Sequence, residues 1–574
     1  MSKLKEVKNK VKKSIDNDAM PWLKNYENLG YRETLDYPEC TIYELLEKTI
    51  KEYPNYDAYE YFGKKATFEE FNEKIKRCAQ SLLKIGVTPD DTVTILMPNT
   101  PEGIIAFYAC NMIGAVASMV HPLSSEAEIE FCMNKAKSNY ILTLNALYDK
   151  LHAIKDKVEI KKIILARVNE SMPPVISTLF WATKGRKIKI ENKFEDNVIM
   201  WKDFIYEGRE TSLKRSKKAD TELAVILFSG GTTGTSKGVM QSSRSFNVTA
   251  TQLQEICPDA EPGKSILSIL PIFHVFGLGV CFHTVLCAGM KAIVIPKFTP
   301  EDFPKLIKNH KPNFIAGVPT LYEALVQSEF PENGLACVEI AICGGDLLNE
   351  PLQKKVNKFF KDHGSLTEIR VGWGMTECCV GTATAVGNFK PGSIGVPSPD
   401  VEVKIVKPGT IDKVDFDEDG ELCVSGPILM IGYLDEKEET ANALKTHNDG
   451  KVWLHTGDMA SMDKDGMIFF KSRIKRMIIS SGYNIYPSVV ESVLNSHPKV
   501  ATSIVIGEPD DYKGEIPKAF VVLKPEWKDN KAIKEELMEL CKKNLSKYMW
   551  PTSIEFREEL PVTKIGKADY RNVK

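Results

Sequence analysis

The amino-acid sequence predicts an α/β protein of parallel sheets covered by helices, followed by a smaller α+β unit, and two observations carry that reading. Through the first two-thirds of the chain, segments with apolar residues at helical spacing alternate with short β-branched runs. Beyond about Asp400 the texture changes to short strands and hairpin turns, and then to a compact terminal run of helix and strand. The alternating order implies parallel strands with helices on both faces, and ligand loops at the strand ends.

In order, TFEEFNEKIKRCAQSLLKIG (Thr67 to Gly86) presents one apolar helical face, and DTVTILMPN (Asp91 to Asn99) follows as a buried strand. PEGIIAFYACNMIG is a helix, AVASMV a strand, AEIEFCMNKAK a helix and YILTL a strand. KSILSIL, KAIVIP, NFIAGV and EIAICGG are further buried strands between helical segments. EDGELCVSG and KDGMIFF read as hairpin segments turning at Asp419-Gly420 and Asp465-Gly466. KSRIKRMIISSGYNIYP (Lys471 to Pro487) reads as a basic, glycine-bearing connector. After it come a helix (Ser488 to Ser496), the strands ATSIVIG and KAFVVLKP, a helix (Lys531 to Ser546) and a final loop.

A chain of 574 residues, 43% hydrophobic and 26% charged, is too long for one core, so two or more domains are expected. With 75 basic against 77 acidic residues there is no electrostatic case for bulk nucleic-acid binding. The 13 cysteines form no CxxC pair and the nine histidines no HExxH pattern, which predicts reduced, buried thiols and no transition-metal site. The N-terminus lacks a signal-peptide core and no segment gives about 18 uninterrupted apolar residues, so a cytoplasmic protein is expected. Leu4, Val7, Val11 and Ile15 share a helical face ringed by lysines. Weak contact with an anionic lipid surface is one reading of that helix; the short face, without an aromatic, favours a terminal helix with a solvated side. The oligomeric state is not readable.

LFSGGTTGTSKGVM (Leu227 to Met240) crowds glycines and hydroxyls around one lysine. A P-loop needs Gly before its Lys and Ser or Thr after it, whereas Lys237 lies between Ser236 and Gly238. Gly263-Lys264-Ser265 has Pro258 at the position of the opening glycine, and Gly566-Lys567 is followed by Ala568. The loop therefore holds phosphate in another way.

FSGGTTGTSKGV (Phe228 to Val239) is followed by PIFHVFG (Pro271 to Gly277), GVPT (Gly317 to Thr320), CGGDLL (Cys343 to Leu348) and GWGMTE (Gly372 to Glu377). GELCVSGP (Gly420 to Pro427), WLHTGD (Trp453 to Asp458), SRIKRMI (Ser472 to Ile478) and LPVTKIGK (Leu560 to Lys567) complete the series. This ordered set, from roughly residue 40 to the end, resembles the adenylate-forming superfamily of acyl-CoA synthetases, peptide-synthetase adenylation domains and beetle luciferases.

The resemblance implies a large N-terminal domain (1–474) of helix-covered sheets with a distorted β-barrel subdomain, and a small mobile C-terminal α+β domain (475–574). It implies ATP, Mg²⁺ and CoA as cofactor and cosubstrates, and activation of a carboxylic acid to acyl-AMP with release of pyrophosphate. Ser229, Gly230, Gly231, Thr232, Thr233, Gly234 and Lys237 would close over the departing phosphates, with Thr232 and Glu377 on the metal. Gly344, Gly345, Asp346, Gly372, Trp373, Gly374 and Met375 would surround the nucleotide, Trp373 stacking on adenine where the family usually has Tyr. Thr376 would bind the α-phosphate, and Asp458 and Arg473 the ribose. Lys567 would bridge carboxylate and α-phosphate. Lys475 falls on the family's hinge, with Ser481 and Gly482 near the thiol path.

Phe273, His274, Phe276, Leu278 and Val318 would build an apolar acyl pocket, with His274 either a substrate contact or a core histidine. The Asp that holds an amino-acid substrate's α-amine is absent there, which favours a fatty or other apolar acid. Ser243 replaces a usual His, Val371 a usual Gln, and GGDLL a commoner small-residue-plus-Pro version, so a subfamily's substrate does not carry over. CoA is the expected acceptor; the alternative is a freestanding acyl-AMP ligase that loads a carrier protein. A non-catalytic acyl-nucleotide-binding protein would have lost Lys567, Glu377 or the Thr-rich loop, and all are present.

Overall fold

The computed structural model describes residues 20–229, 236–379, 383–384, 390, 392–481, 483–510, 512–529, 531–562 and 568–573. The basic helix expected at Leu4 to Ile15 lies outside them. Two large sheets organise the first 430 residues or so. The eight-stranded sheet runs Gly432–Tyr433, Lys237–Ser242, Leu223–Ser229, Val116–Met119, Thr92–Leu96, Tyr140–Leu144, Lys162–Ala166, Val198–Met200, and is parallel from Leu223–Ser229 onward. The nine-stranded sheet runs Val396–Pro397, Ala383–Thr384, Ile369–Trp373, Ile340–Cys343, Phe314–Gly317, Ser265–Ser268, Lys291–Val294, Asp57–Tyr61, Lys64–Thr67.

Local chemistry explains the elements. Thr67 caps the Phe68–Lys84 helix in a reciprocal box with Glu70, and Phe68, Phe71, Ile75, Cys78 and Leu82 line its buried face. The Pro101–Ile113 helix begins with Thr100 as cap and Pro101 in the first turn, and ends at Gly114 in the left-handed region. Every residue of that helix is buried, as its nearly charge-free sequence requires. The sheet arrangement then does the positioning. Ser265–Ser268, Phe314–Gly317, Ile340–Cys343 and Ile369–Trp373 are parallel neighbours, so PIFHVFG, GVPT, CGGDLL and GWGMTE all leave the carboxyl ends of adjacent strands. That edge is where open α/β sheets take their ligands.

A third, antiparallel sheet holds Glu402–Val406, Gly420–Ser425, Val452–Met462 and Leu444–Thr446, with Ile468–Arg473 paired to Val452–Met462. The turn at Asp465-Gly466 is present, with Gly466 at φ +80 and its missing side chain making room for the Trp22 backbone. The turn expected at Asp419-Gly420 is not: Gly420 opens the strand, where a Cβ would lie 2.5 Å from the Val406 carbonyl oxygen, and the left-handed residue is Asp417 at φ +66. Gly420 serves close strand approach rather than a bend.

The terminal unit has its own core, built from Ile478, Ile485, Val490, Leu494, Val505, Val521, Ile533, Leu537 and Cys541 among others. Two features correct the sequence reading. The segment 471–487 is not a plain connector, since it carries the strands Ile478–Ser480 and Tyr483–Ile485. The final loop contains the strand Ser553–Arg557, parallel to Gly514–Leu523, which Glu and Arg at alternate positions had disguised. No disulfide joins the thirteen cysteines, ten of which are buried. Among the described residues no helix is long and apolar enough to cross a membrane.

Candidate active site

The loop around Lys237 is mounted on an antiparallel pair in which Ser229 faces Lys237 and Phe228 faces Gly238. Gly230, Gly231, Thr232, Thr233 and Gly234 lie outside the described residues, so the structure shows the mouth of the loop and not its tip. The Lys237 ammonium pairs with Glu439 and stands 4.7 Å from the centre of the Tyr433 ring. The Tyr433 hydroxyl in turn donates to Glu377 Oε1 at 2.8 Å. Lys237 thus depresses the Glu439 carboxyl, first through its hydrogen bond.

Glu377 is buried, and desolvation raises its carboxyl above the usual range while the Tyr433 hydrogen bond, Arg473 and Lys237 pull it down. Its segment is held rigidly. Gln241 Nε2 donates to the Thr376 carbonyl at 2.5 Å, and the Met430 amide donates to the Glu377 carbonyl at 2.8 Å. A buried carboxylate whose ionisation is opposed by burial is a site that gains from a hard cation, so its chemistry fits Mg²⁺.

Trp373 ends the Ile369–Trp373 strand, and its indole N–H donates to Asp458 Oδ2 at 2.9 Å. Asp458 is 1% exposed, and its other oxygen is 2.8 Å from Arg473 Nε, its register partner across the hairpin. This carboxylate keeps Arg473 firmly charged. GWGMTE and the hairpin that carries HTGD and the SRIK segment are thereby joined at one buried carboxyl group.

Gly344 is the point where three motifs touch. A Cβ there would lie 3.1 Å from the Gly372 carbonyl oxygen and 3.2 Å from the Phe276 ring. Gly345 follows at φ +81, and exposed Asp346 accepts from the Leu347 amide. Phe276 opens a π-helical segment, Phe276–Thr284, whose start is so tight that a Cβ on Gly277 would meet the Pro271 carbonyl oxygen at 2.1 Å. His274 Nδ1 accepts from the Phe276 amide at 3.3 Å; Phe273 packs on His121, and Leu278 is buried. Val318 is half-buried at the cap of the Pro319–Val326 helix. The unusual Ser243 and Val371 are both buried; Ser243 Oγ accepts from Asn111 at 3.4 Å, well inside the core.

At the start of the terminal unit, Lys475 is exposed in a single tight turn, Ile474–Arg476. Arg476 pairs with Glu491 and lies 4.6 Å from the Tyr570 ring, and Ser488 Oγ donates to the Lys471 carbonyl. Tyr570 is also close enough to Arg473 to influence its charge. Lys567 and Gly482 lie outside the described residues; the flanks of the Lys567 loop pair through Val562 and Ala568. Ser481 is exposed at φ +51, its amide donating to the Lys513 carbonyl.

The motifs did not announce Tyr433 or Glu439, the partners of Glu377 and Lys237. Nor did they announce a cluster on the antiparallel sheet, where Cys423, His447 and His455 bring potential ligand atoms within 4.8 Å of one another. No sequence pattern marks that trio. His455 Nδ1 lies 2.9 Å from Glu421 Oε2 and its Nε2 lies 3.0 Å from His447 Nε2, a hydrogen-bonded chain that fixes the strand carrying Asp458. With Nδ1–H given to Glu421, His455 accepts from His447.

The sequence matches two family descriptions: "AMP-binding enzyme" over residues 46–434 and "AMP-binding enzyme C-terminal domain" over residues 489–567. A long-chain-fatty-acid–CoA ligase of Bacillus subtilis is 33% identical over 553 residues, covering 95% of this chain and 96% of the relative. One from Escherichia coli O157:H7 is 29% identical and covers 92% and 93%. Among solved structures, ATP-bound MatB from Rhodopseudomonas palustris superposes with a TM-score of 0.79 at 22% identity, over 93% of this chain and 98% of that one. The o-succinylbenzoate CoA synthetase of Bacillus subtilis with its acyl-adenylate gives 0.75 at 26%, over 94% and 98%. With both halves matched, the chain belongs to the AMP-binding enzyme family, in its adenylate-forming acyl-CoA ligase branch.

Proposed function

We propose that this protein activates a long-chain fatty acid in two steps at one site. In the first, the carboxylate oxygen attacks the α-phosphorus of ATP, the bond to the β-phosphate oxygen breaks, and pyrophosphate leaves. In the second, the CoA thiolate attacks the acyl carbonyl and AMP departs, leaving the thioester. The observation that carries the reading is the linkage of Glu377, Asp458, Arg473 and Lys237, from four separate motifs, through Trp373 and Tyr433 and through the pull of Arg473 and Lys237 on Glu377.

Each residue has work suited to its surroundings. Asp458, held by Trp373 and Arg473, is placed to accept the ribose hydroxyls, with the flat face of Trp373 against adenine. Lys237, with Ser229 and the hydroxyl-rich loop, would neutralise the leaving phosphates, exchanging Glu439 for pyrophosphate. Glu377 and Thr232 would hold Mg²⁺, which supplies charge neutralisation on the phosphoryl oxygens. Thr376 is the α-phosphate donor and Lys567 the cation that bridges the two reactants. Gly344, Gly345, Asp346, Gly372, Gly374 and Met375 let the nucleotide approach backbone closely. Phe273, His274, Phe276, Leu278 and Val318 form the acyl side.

The reading divides the chain at Lys475 into a domain of residues 1–474 and a mobile domain of 475–574. The contact of Tyr570 with Arg476, near Arg473, supports a pose in which the terminal segment faces the nucleotide side. Rotation at the Ile474–Arg476 turn would exchange the Lys567 loop for the segment around Ser481 and Gly482.

Pyrophosphate release with short, medium, long-chain and aromatic acids, with and without CoA, tests this function. Release with long-chain acids and thioester formation with CoA alone is the expected result. Silence across the panel by folded protein, or transfer only to a phosphopantetheinylated carrier protein, would overturn it.

A further inference from the structure

The helix Pro174–Thr183, PVISTLFWAT, has no charged residue and no buried one. Val175 is 81% exposed, Leu179 62% and Trp181 59%. A charge-free helix with only Ser177, Thr178 and Thr183 as polar residues belongs inside a protein, yet this one lies on the surface, where Ile176 and Phe180 pack partly on the main core and Ser177 Oγ accepts from Asn169 at 2.8 Å. Scattered exposed apolar residues need no explanation; three large ones on one ten-residue helix do, Val175 and Leu179 one turn apart on one side and Trp181 on the other, toward the basic end.

The helix is followed at once by basic residues. Lys184, Arg186, Lys187 and Lys189 are all exposed within the next six positions. Arg186 is tied to the helix end: its Nε donates to the Ala182 carbonyl at 2.9 Å and its guanidinium lies 5.8 Å from the Trp181 ring. Arg186 therefore stands beside the Trp, the side chain that prefers the boundary between water and hydrocarbon, and the exposed lysines flank it in the chain.

We propose that Pro174–Thr183 and the basic run after it form a docking surface for an anionic lipid bilayer. Val175, Leu179 and Trp181 enter the headgroup–acyl boundary, a depth of about 5–10 Å for such helices, while Lys184, Arg186, Lys187 and Lys189 meet the lipid phosphates. A second copy of the chain fits this surface poorly. A two-fold interface would bring both basic runs to one contact, with no acidic residue on either helix to pair them. The bilayer is also where a long-chain acid resides, a point that rests on the proposed function, although the docking itself does not.

Flotation of the full chain with vesicles tests the surface. Vesicles of phosphatidylglycerol and phosphatidylcholine should carry the protein at low salt, and pure phosphatidylcholine vesicles at least about tenfold less. Leu179→Ser with Trp181→Ser, and separately Lys184→Glu with Lys187→Glu, should each weaken anionic-vesicle binding about tenfold or more. All four positions are exposed, so the thermal midpoint and pyrophosphate release with a water-soluble acid should be unchanged. Brominated lipids should quench fluorescence in the wild type and not in Trp181→Phe. Equal flotation of wild type and both variants would overturn the proposal, as would a wild type that ignores vesicles and instead forms a dimer abolished by the Leu179 and Trp181 changes.

Discussion

Trp373 Nε1 donates to one oxygen of Asp458 while Arg473 Nε sits 2.8 Å from the other, so a single buried carboxylate is fixed at both ends before any ribose arrives. Trp373→Phe keeps an aromatic face and removes the N–H. Losing a hydrogen bond to a charged group costs about 1.5–3 kcal/mol, so the KM for ATP should rise about tenfold or more with kcat changed far less. Pyrophosphate release against ATP concentration measures it; an unchanged KM would mean that the indole N–H does not position Asp458.

Glu377 makes a pH prediction with a definite sign. Burial lifts its folded carboxyl above the unfolded value. Its contribution to stability without metal is therefore fully present below the ordinary Glu range and lost as pH rises through the raised value. Glu377→Gln should accordingly raise the thermal midpoint of the metal-free protein at neutral pH, and not at acid pH, while abolishing stabilisation by Mg²⁺ with ATP. Tyr433→Phe removes a hydrogen bond that lowers the Glu377 carboxyl, so the acid limb of pyrophosphate release should move to higher pH. Thermal melts and a pH–rate profile give both answers; a limb moving to lower pH would contradict the assignment.

Gly344→Ala would put a methyl group between the Phe276 ring and the Gly372 carbonyl. The neighbours have to give by a few tenths of an ångström, enough to misalign acid and nucleotide. A drop in kcat/KM of about 10- to 100-fold with intact folding is expected, and initial rates with circular dichroism test it.

Much of this arrangement is legible in the sequence because strand-end motifs need only a strand and a loop to be placed. Thr67 with Glu70, Thr100 with Pro101, and the buried runs ending at Gly317 and Cys343 each carry local signals that the fold obeys. What was hidden depends on distance. Tyr433 reaches Glu377 across 56 positions and Glu439 reaches Lys237 across 202, with no spacing rule to couple them. Trp373 could be read as a stacking face, but its N–H partner needed the third sheet to bring Asp458 alongside. Ser553–Arg557 was missed because a short strand with charged alternate residues looks like loop, and Gly420 because Asp-Gly signals a turn whether the glycine bends or merely yields space.

The hinge makes a complementary prediction. Lys475→Pro, in the Ile474–Arg476 turn, restricts the backbone rotation that the second step needs, so adenylate formation should persist while thioester formation stalls. Single-turnover assays of each half-reaction read this out; equal loss of both, with folding intact, would remove Lys475 from the pivot.

The most direct test of the two-step account separates the half-reactions in Lys567→Ala. Acyl-AMP formation from ATP and fatty acid should fall by a factor on the order of 10² to 10³, the scale of losing one donor to the transition state. Supplied acyl-AMP should still be converted to acyl-CoA at close to the wild-type rate. If adenylation survived the change, or if both half-reactions fell together in a folded protein, the assignment of Lys567 to the first step and the alternation built on it would be wrong.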